Sequence, residues 1–244
     1  MSELIIGRNA VLEALKGDRE IEKINIQKSD DYFSGPIRQI IARAKDKKIP
    51  VYYSDKAFMD RMPANSNHQG VIAVASDFQY CEIQDILALA EKRNEKPFVV
   101  VLDGLEDPHN LGAIMRTAEC AGAHGIIIPK RRSVSVNETV LKTSAGAAEH
   151  MLCARVTNIG NAIDELKERG VWIYACDMGD NLMYNQDISG SVAIVIGSEG
   201  FGISRLVKEK CDVVVSIPMK GRINSLNASN AAAILMYEIV RQRL

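Results

Sequence analysis

Glycine occurs together with amide, hydroxyl and carboxylate side chains in three segments of this 244-residue sequence, at residues 103–116, 196–202 and 217–229. Each segment begins at the end of a short apolar run, which predicts a strand buried on both faces of a parallel sheet. The ligands of such sheets bind at the carboxyl ends of the strands. We therefore expect the functional side chains of this protein in these three segments.

The first segment contains one amide and one cation that need an explanation. Asn110 is placed to cap a helix over residues 110–121, and Arg116 lies in the second turn of that helix. The neighbours of Arg116 are alanine, isoleucine and methionine, and a charge in so apolar a stretch needs a partner or a ligand phosphate. An ion pair with Glu119, three residues further on, is the structural alternative. The residues alone leave both interpretations open.

The second segment, Gly-Ser-Glu-Gly-Phe-Gly at residues 197–202, spaces its glycines as G-x-x-G-x-G. This order matches neither the dinucleotide-binding pattern G-x-G-x-x-G nor a P-loop. Glycines let the backbone approach a ligand closely. The segment has no lysine, which favours a ligand with little negative charge. A plain turn between a strand and a helix would not require Glu199 in its middle.

The third segment crowds polar residues at the start of the last predicted helix, at residues 227–241. One N-cap residue is explained by structure alone. The segment has more polar residues than capping requires, namely Asn224, Ser225, Asn227, Ser229 and Asn230. A helix N-terminus also attracts polar or anionic groups of a ligand.

In this order along the chain, the three segments resemble the SpoU (TrmH) family of RNA ribose 2′-O-methyltransferases, in the SPOUT superfamily. The resemblance covers essentially the whole chain, because residues 6–15 and 67–71 are similar to the small substrate-binding domain of the family's large-subunit ribosomal RNA guanosine methyltransferases. The sequence departs from the family at Ala228 and Asn230, where relatives more often carry valine. This difference alters packing beside the cofactor and removes no polar role.

The resemblance implies an α/β fold, with a knotted parallel sheet flanked by helices in the C-terminal part of the chain. A small N-terminal α/β domain is implied to bind the substrate. The implied cofactor is S-adenosylmethionine, the implied partner is RNA, most closely 23S ribosomal RNA or a ribosome precursor, and the implied active form is a homodimer. DNA is not expected as a substrate, because only RNA has the 2′-hydroxyl.

The resemblance also implies roles for nine residues of this sequence. Arg116 matches the position that assists removal of the hydroxyl proton, either as a base or as a clamp on an RNA phosphate. The implied partners that orient it and the ribose are Asn110, Glu199, Ser225 and Asn227. The positions that match cofactor contacts are Gly197, Ile217 and Leu226, with Met219 beside the adenine.

The composition is that of an ordinary globular protein, with 47% hydrophobic and 25% charged residues. No apolar run approaches the length of a membrane span, and the N-terminus lacks a secretory signal, so a cytoplasmic protein is expected. The five cysteines form no C-x-x-C pair and the four histidines form no cluster with metal-ligand spacing. We therefore expect neither a disulfide framework nor a metal site.

The 30 basic and 31 acidic residues leave a formal net charge of −1, which gives no signature of nucleic-acid binding at the level of composition. The tightest basic clusters are Lys130-Arg131-Arg132 and Lys220-Gly221-Arg222. Each is either a solvated loop or a local binding patch, and the sequence does not decide between these interpretations.

The pattern of apolar residues predicts two units. Residues 1–75 form a small α/β unit, which the resemblance implies binds the RNA substrate. The acidic, polar residues 76–95 form a linker with a short amphipathic helix over 83–92. Alternating strands and helices over residues 96–244 predict a mostly parallel sheet with helices on both faces, which is the catalytic unit.

Three alternative functions remain at this stage. The nearest is ribose methylation of a tRNA. A second is a catalytically silent RNA-binding assembly factor, against which the retention of Arg116, Glu199 and Asn227 argues. A third is a nucleotide-dependent α/β enzyme such as a dehydrogenase, which the missing G-x-G-x-x-G disfavours.

Overall fold

A computed structural model describes residues 3–16, 21–28, 33, 35–62, 67–75 and 78–244 of the chain. The chain divides into two compact units, Met1–Phe78 and Gln79–Leu244. No helix within the described residues is both long and apolar enough to cross a membrane.

The first unit is built on a mixed four-stranded sheet in the order β1-β4-β2-β3. Its strands are β1 Glu3–Ile6, β2 Ile21–Gln27, β3 Val51–Ser54 and β4 Val71–Ala75, and its helices are α1 Arg8–Lys16, α2 Gly35–Asp46 and α3 Lys56–Arg61. β4 is antiparallel to β1 and β2, whereas β2 and β3 are parallel. The apolar residues of α1 and α2 form one core with the strands. The unit is α/β, as predicted, although β1, α1 and α3 were not expected from the sequence.

The second unit contains six strands, all parallel to their neighbours, in the order β10-β8-β9-β5-β6-β7. The strands are β5 Phe98–Asp103, β6 Gly125–Pro129, β7 Leu152–Val156, β8 Trp172–Cys176, β9 Val192–Gly197 and β10 Val213–Val215. The helices are α4 Ile83–Arg93, α5 Pro108–Cys120, α6 Glu138–Thr143, α7 Ile159–Glu168, α8 Arg205–Lys210 and α9 Ala228–Arg243. The predicted parallel sheet flanked by helices is therefore confirmed.

Helices cover both faces of this sheet. Val99 and Val101 of β5 face a core that α4, α7 and α8 complete. Successive residues of a strand point to opposite faces, so the equally buried Val100 and Leu102 point to the other side, where α5 packs against α9. This burial on both faces explains why β5 is a continuous apolar run.

The predicted linker at residues 76–95 differs from the observed division of the chain, which falls between Phe78 and Gln79. Residues 76 and 77 lie outside the described residues, and α4 belongs to the second unit. Ile83 and Ile86 are buried in its core, and a Cβ atom on Gly125 would lie 2.6 Å from the side chain of Ile86. The amphipathic helix expected over residues 83–92 is therefore present, and its apolar face is buried in the core of the second unit.

His124 is a buried histidine that fixes the start of β5. Its Nδ1 accepts a hydrogen bond from the backbone N–H of Phe98 at 3.0 Å, and its Nε2 lies 3.0 Å from Oε2 of Glu95. Because Nδ1 is an acceptor, the neutral ring carries its proton on Nε2 and donates it to Glu95. Burial lowers the pKa of His124 below its ordinary value of 6.5, against the opposing effect of Glu95.

This arrangement predicts a loss of stability in mild acid. Below pH 6.5 the unfolded chain takes up a proton that folded His124 does not. The free energy of unfolding should therefore fall with decreasing pH, by at most about 1.4 kcal/mol per pH unit, until the lowered pKa is reached. Urea unfolding of the chain and of His124→Gln across this range measures the contribution, since glutamine does not titrate. Identical pH profiles for the two proteins would contradict the assignment.

Candidate active site

The strand order brings the first two sequence segments to the same point of the sheet. β5 and β9 are neighbours, and Asp103 at the end of β5 pairs in register with Gly197 at the end of β9. From β5 the chain continues to β6 and β7 on one side, whereas β8 and β10 lie on the other side of β9. Ligands of open parallel sheets bind in the crevice at such a reversal of strand order.

Asn110 does not cap α5, so that prediction is wrong. The N-cap is Asp107, whose Oδ1 accepts from the backbone N–H of His109 at 3.0 Å, and Pro108 occupies the first helical position. A proline there needs no hydrogen-bond partner and is pre-organised for the helix. Asn110 is consequently free for another contact. Its buried side chain donates from Nδ2 to Oε1 of Glu199 at 2.8 Å.

One residue from each of the three sequence segments joins in a hydrogen-bonded group that we call the polar cluster: Asn110, Glu199 and Asn227. Nδ2 of Asn227 donates to Oδ1 of Asn110 at 2.9 Å and to Oε1 of Glu199 at 2.6 Å. Oε1 of Glu199 therefore accepts from two amides. Within the described residues its Oε2 has no hydrogen-bond partner, and the carboxylate is otherwise exposed to solvent.

Asn227 is also the N-cap of α9, a role that the sequence left open among the polar residues before this helix. Its Oδ1 accepts from the backbone N–H groups of Ser229 at 3.0 Å and Asn230 at 3.4 Å. The cap settles the orientation of the side-chain amide, because an oxygen that accepts from the backbone leaves the nitrogen to donate to the other two members of the polar cluster. The helix start and the polar cluster are thus held by the same side chain.

A cavity of about 620 Å³ lies beside Glu199, between the loops that follow β8, β9 and β10. Its lining residues are glycines, small polar residues and apolar side chains, with the carboxylates of Asp177 and Glu199; no lysine, arginine or histidine is among the described residues that line it. The structure places all four predicted cofactor contacts on its wall, namely Gly197, Ile217, Met219 and Leu226.

The loop after β8 is a wall of the cavity that sequence reasoning missed. It contributes Cys176, Asp177 and Gly179, and Oδ2 of Asp177 forms an ion pair with Nζ of Lys208 at 2.8 Å. Like the three segments in which functional side chains were expected, this segment is polar and follows a predicted strand. It was missed because the sequence does not reveal that β8 lies next to β9.

Gly197 is required by the protein's own backbone. A Cβ atom there would lie 2.1 Å from the carbonyl carbon of Gly202 and 2.3 Å from the backbone nitrogen of Ile203. A tight turn holds these atoms in place, because the N–H of Ser198 donates to Gly202 O at 3.1 Å and the N–H of Gly202 donates to Ser198 O at 2.9 Å. Phe201, in the same turn, is 96% exposed at the cavity.

Arg116 and Ser225 lie outside the polar cluster. Arg116 is exposed on α5, and its guanidinium has no ion pair or hydrogen bond to any residue that the structure describes, so the alternative pairing with Glu119 is not formed. It lies six residues beyond Asn110, about 9 Å further along the helix axis. Ser225 lines the cavity.

Comparisons with known proteins agree with this geometry. The model of the SpoU rRNA methylase family matches residues 97–237, and the model described as RNA 2′-O ribose methyltransferase substrate binding matches residues 4–81. A Bacillus subtilis protein assigned to the TrmH family of tRNA/rRNA methyltransferases, YacO, is 47% identical over 99% of this chain and 96% of its own length. A Staphylococcus aureus protein with the same family assignment is 46% identical over 98% of this chain and 96% of its own length.

A solved structure is also similar over nearly the whole chain. The SpoU methyltransferase AviRb from Streptomyces viridochromogenes, in complex with the cofactor AdoMet, has a TM-score of 0.63 and 25% sequence identity. The match covers 99% of this chain and 90% of the other.

The close approach at Gly197 predicts a large effect of one methyl group. We expect Gly197→Ala to lower the free energy of unfolding by about 1–3 kcal/mol, because the clashing atoms belong to backbone that a hydrogen-bonded turn holds. Gly200→Ala is the matched control in the same turn, since a Cβ atom there meets nothing within 4 Å. Thermal unfolding compares the two, and equal melting temperatures would show that the turn yields without cost.

Proposed function

Because the chain belongs to the SpoU family of RNA methylases, we propose that it transfers the methyl group of S-adenosylmethionine to a ribose 2′-hydroxyl of RNA, and that its target is a guanosine of 23S ribosomal RNA. That it is an S-adenosylmethionine-dependent RNA methyltransferase follows from the family and from its similarity to a SpoU enzyme in complex with this cofactor. The observation that carries the proposal is the polar cluster beside a cavity without basic side chains.

The cavity suits S-adenosylmethionine in size and charge. Its volume of about 620 Å³ falls within the range of small-molecule pockets. Its lining includes Asp177, which is paired with Lys208, and Glu199, which forms no ion pair with a described residue, but no described basic side chain. This suits a ligand whose sulfonium and ammonium charges exceed its single carboxylate charge. Met219 and Leu226 offer apolar contact to the adenine. When bound, the cofactor supplies a methyl group that is already activated for transfer.

The polar cluster has the geometry to orient a ribose. Asn110 and Asn227 fix the carboxylate of Glu199 through Oε1, which leaves Oε2 available to accept a hydrogen bond from a hydroxyl. Ser225 adds a hydroxyl on the cavity wall. Holding two reactants in a productive arrangement supplies a large part of the rate of a transfer reaction. The cluster therefore acts by positioning.

Arg116 is proposed as the clamp on an RNA phosphate next to the reacting ribose. Arginine stays protonated in proteins and makes a poor base, whereas its planar guanidinium holds a phosphate through two parallel hydrogen bonds. Its exposure on α5 and its lack of a partner among the described residues support this role over a structural one. The proton of the ribose hydroxyl would then leave toward the bound phosphate or water.

The first unit is proposed to select the RNA. The two segments that resemble the guanosine methyltransferases lie together there, because Nε of Arg8 donates to Gln69 O at 2.8 Å and the N–H of Gly7 donates to Val71 O at 3.2 Å. The resemblance of both segments to the guanosine methyltransferases supports 23S ribosomal RNA as the target over tRNA. The knot, the homodimer and the cytoplasmic location stay predictions.

The substrate prediction is tested with labelled cofactor. The chain, with S-adenosylmethionine labelled in the methyl group, should label protein-free 23S ribosomal RNA, and nuclease digestion should release a 2′-O-methylguanosine. Total tRNA is the matched control and should remain unlabelled. Labelled tRNA with unlabelled ribosomal RNA would establish the alternative target, and label in neither RNA would contradict the proposed substrate class.

Arg116→Ala should lower single-turnover methyl transfer by roughly 10²-fold, because loss of the phosphate clamp displaces the ribose from its productive position. Lysine should rescue poorly, since an ammonium lacks the planar fork. Binding of S-adenosylmethionine should persist, because Arg116 is not among the residues that line the cavity. Arg169→Ala, which removes an exposed arginine after α7, is the control. Normal turnover in folded Arg116→Ala would rule out the clamp.

A further inference from the structure

Two basic clusters of the second unit stand out because their charges are unpaired. The first cluster is Lys130, Arg131 and Arg132, and the second is Lys220 and Arg222. All five side chains are exposed, and none forms an ion pair or a side-chain hydrogen bond with any described residue. Other basic side chains of this unit are paired with carboxylates, among them Lys142, Lys167, Arg205, Lys208, Lys210 and Arg241.

The first cluster is fixed next to the loop that leads into α5. It begins directly after β6, where the N–H of Lys130 donates to Val156 O at 2.7 Å. Immediately after the cluster, Oγ of Ser133 and the N–H of Val134 both donate to Leu105 O, at 2.9 and 2.7 Å. Leu105 belongs to the loop between β5 and α5, and Asn110 lies in the first turn of that helix. The segment after β6 thus holds its three cations next to the loop that leads into α5.

Carboxylates of the neighbouring loop do not neutralise this first cluster. Asp103 accepts from the backbone N–H of Ser204 at 2.7 Å, and Asp107 caps α5. Glu106 also has an interaction of its own. The three positive charges therefore remain available to an anion from solution.

The second cluster lies on the segment between β10 and α9, which forms the outer wall of the cavity. Met219 precedes it and Leu226 follows it on that wall, and the segment ends at Asn227 in the polar cluster. In the sheet, β10 and β6 are four strand spacings apart, about 19 Å, with β8, β9 and β5 between them. The two basic clusters therefore flank the polar cluster.

We propose that these two clusters bind the RNA backbone on either side of the methylated nucleotide. The inference rests on the proposed function and adds the surface that holds the substrate strand over the site. Contacts to phosphates fix the register of a nucleic acid on a protein without reading its sequence. The basic side chains lie outside the cavity wall, and no described residue that lines the cavity is basic. This arrangement separates the site of the anionic RNA from the site of the cationic cofactor.

The test measures how RNA binding depends on salt. Two variants of the full chain remove one cluster each. The triple variant carries Lys130→Gln, Arg131→Gln and Arg132→Gln, and the double variant carries Lys220→Gln and Arg222→Gln. The matched control is Arg93→Gln with Arg169→Gln, which removes exposed cations that precede β5 and β8 at the opposite edge of the sheet. The probe is a labelled oligouridine, whose dissociation constant is measured at increasing salt.

Each lost phosphate contact should reduce the slope of log K against log salt by about 0.7. The slope should fall by about 2 in the triple variant and by about 1.4 in the double variant, and it should stay unchanged in the control. Methyl transfer should show a raised KM for RNA with little change in kcat. Unchanged slopes in both cluster variants would overturn the proposal, as would an equal fall in the control.

Two further measurements separate this inference from the proposed function. The affinity for S-adenosylmethionine, measured by calorimetry, and the circular dichroism spectrum should be the same in all variants. If the triple variant does not fold, Arg131→Gln alone replaces it in the salt titration. Reduced slopes in a chain that methylates no RNA would refute the proposed function and leave the two clusters as an RNA-binding surface without a methylated nucleotide. Normal methyl transfer with unchanged slopes and KM would refute the inference alone.

Discussion

The polar cluster is the interaction on which the rest of the site depends, because it joins the carboxyl ends of β5 and β9 to the start of α9. Hydrogen bonds to a charged group contribute about 1.5–3 kcal/mol each, and Oε1 of Glu199 accepts two of them. Loss of one member leaves a buried amide or a carboxylate without its partner. Three loops that are distant in sequence are thereby held in one arrangement.

The same helix is fixed again at its other end. The guanidinium of Arg243 donates to Lys96 O at 3.0 Å, Pro97 O at 2.9 Å and Gly190 O at 2.6 Å, which precede β5 and β9. The 16 residues of α9 extend about 24 Å, and the six residues of β9 extend about 20 Å. One helix therefore spans the sheet from its amino edge to its carboxyl edge, and its N-cap enters the active site.

The sequence predicted those parts of the structure that local pattern controls. Continuous apolar runs identified β5 and β9, and the crowded polar residues before α9 indicated an N-cap there without deciding which residue it is. Asn110 was misread as a cap because Asp107 and Pro108 supply the same local signals three residues earlier. The loop after β8 was missed because strand order arises from tertiary packing. From the sequence, Gly197 was expected to let the backbone approach a ligand. In the structure, a side chain at this position would collide with the backbone of Gly202.

Composition also failed to indicate RNA binding, because a sum of charges does not show which charges are paired. The 30 basic and 31 acidic residues nearly cancel, yet a cation that is paired with a carboxylate contributes little to the field that an RNA strand meets. Pairing removes charge on α7 and α8, where Lys167, Lys208 and Lys210 contact carboxylates. The two basic clusters and Arg116 have no described partner, so their charges are not cancelled in this way. The potential of this surface is therefore set by which charges are paired, and a net charge of −1 is compatible with a site that holds a polyanion.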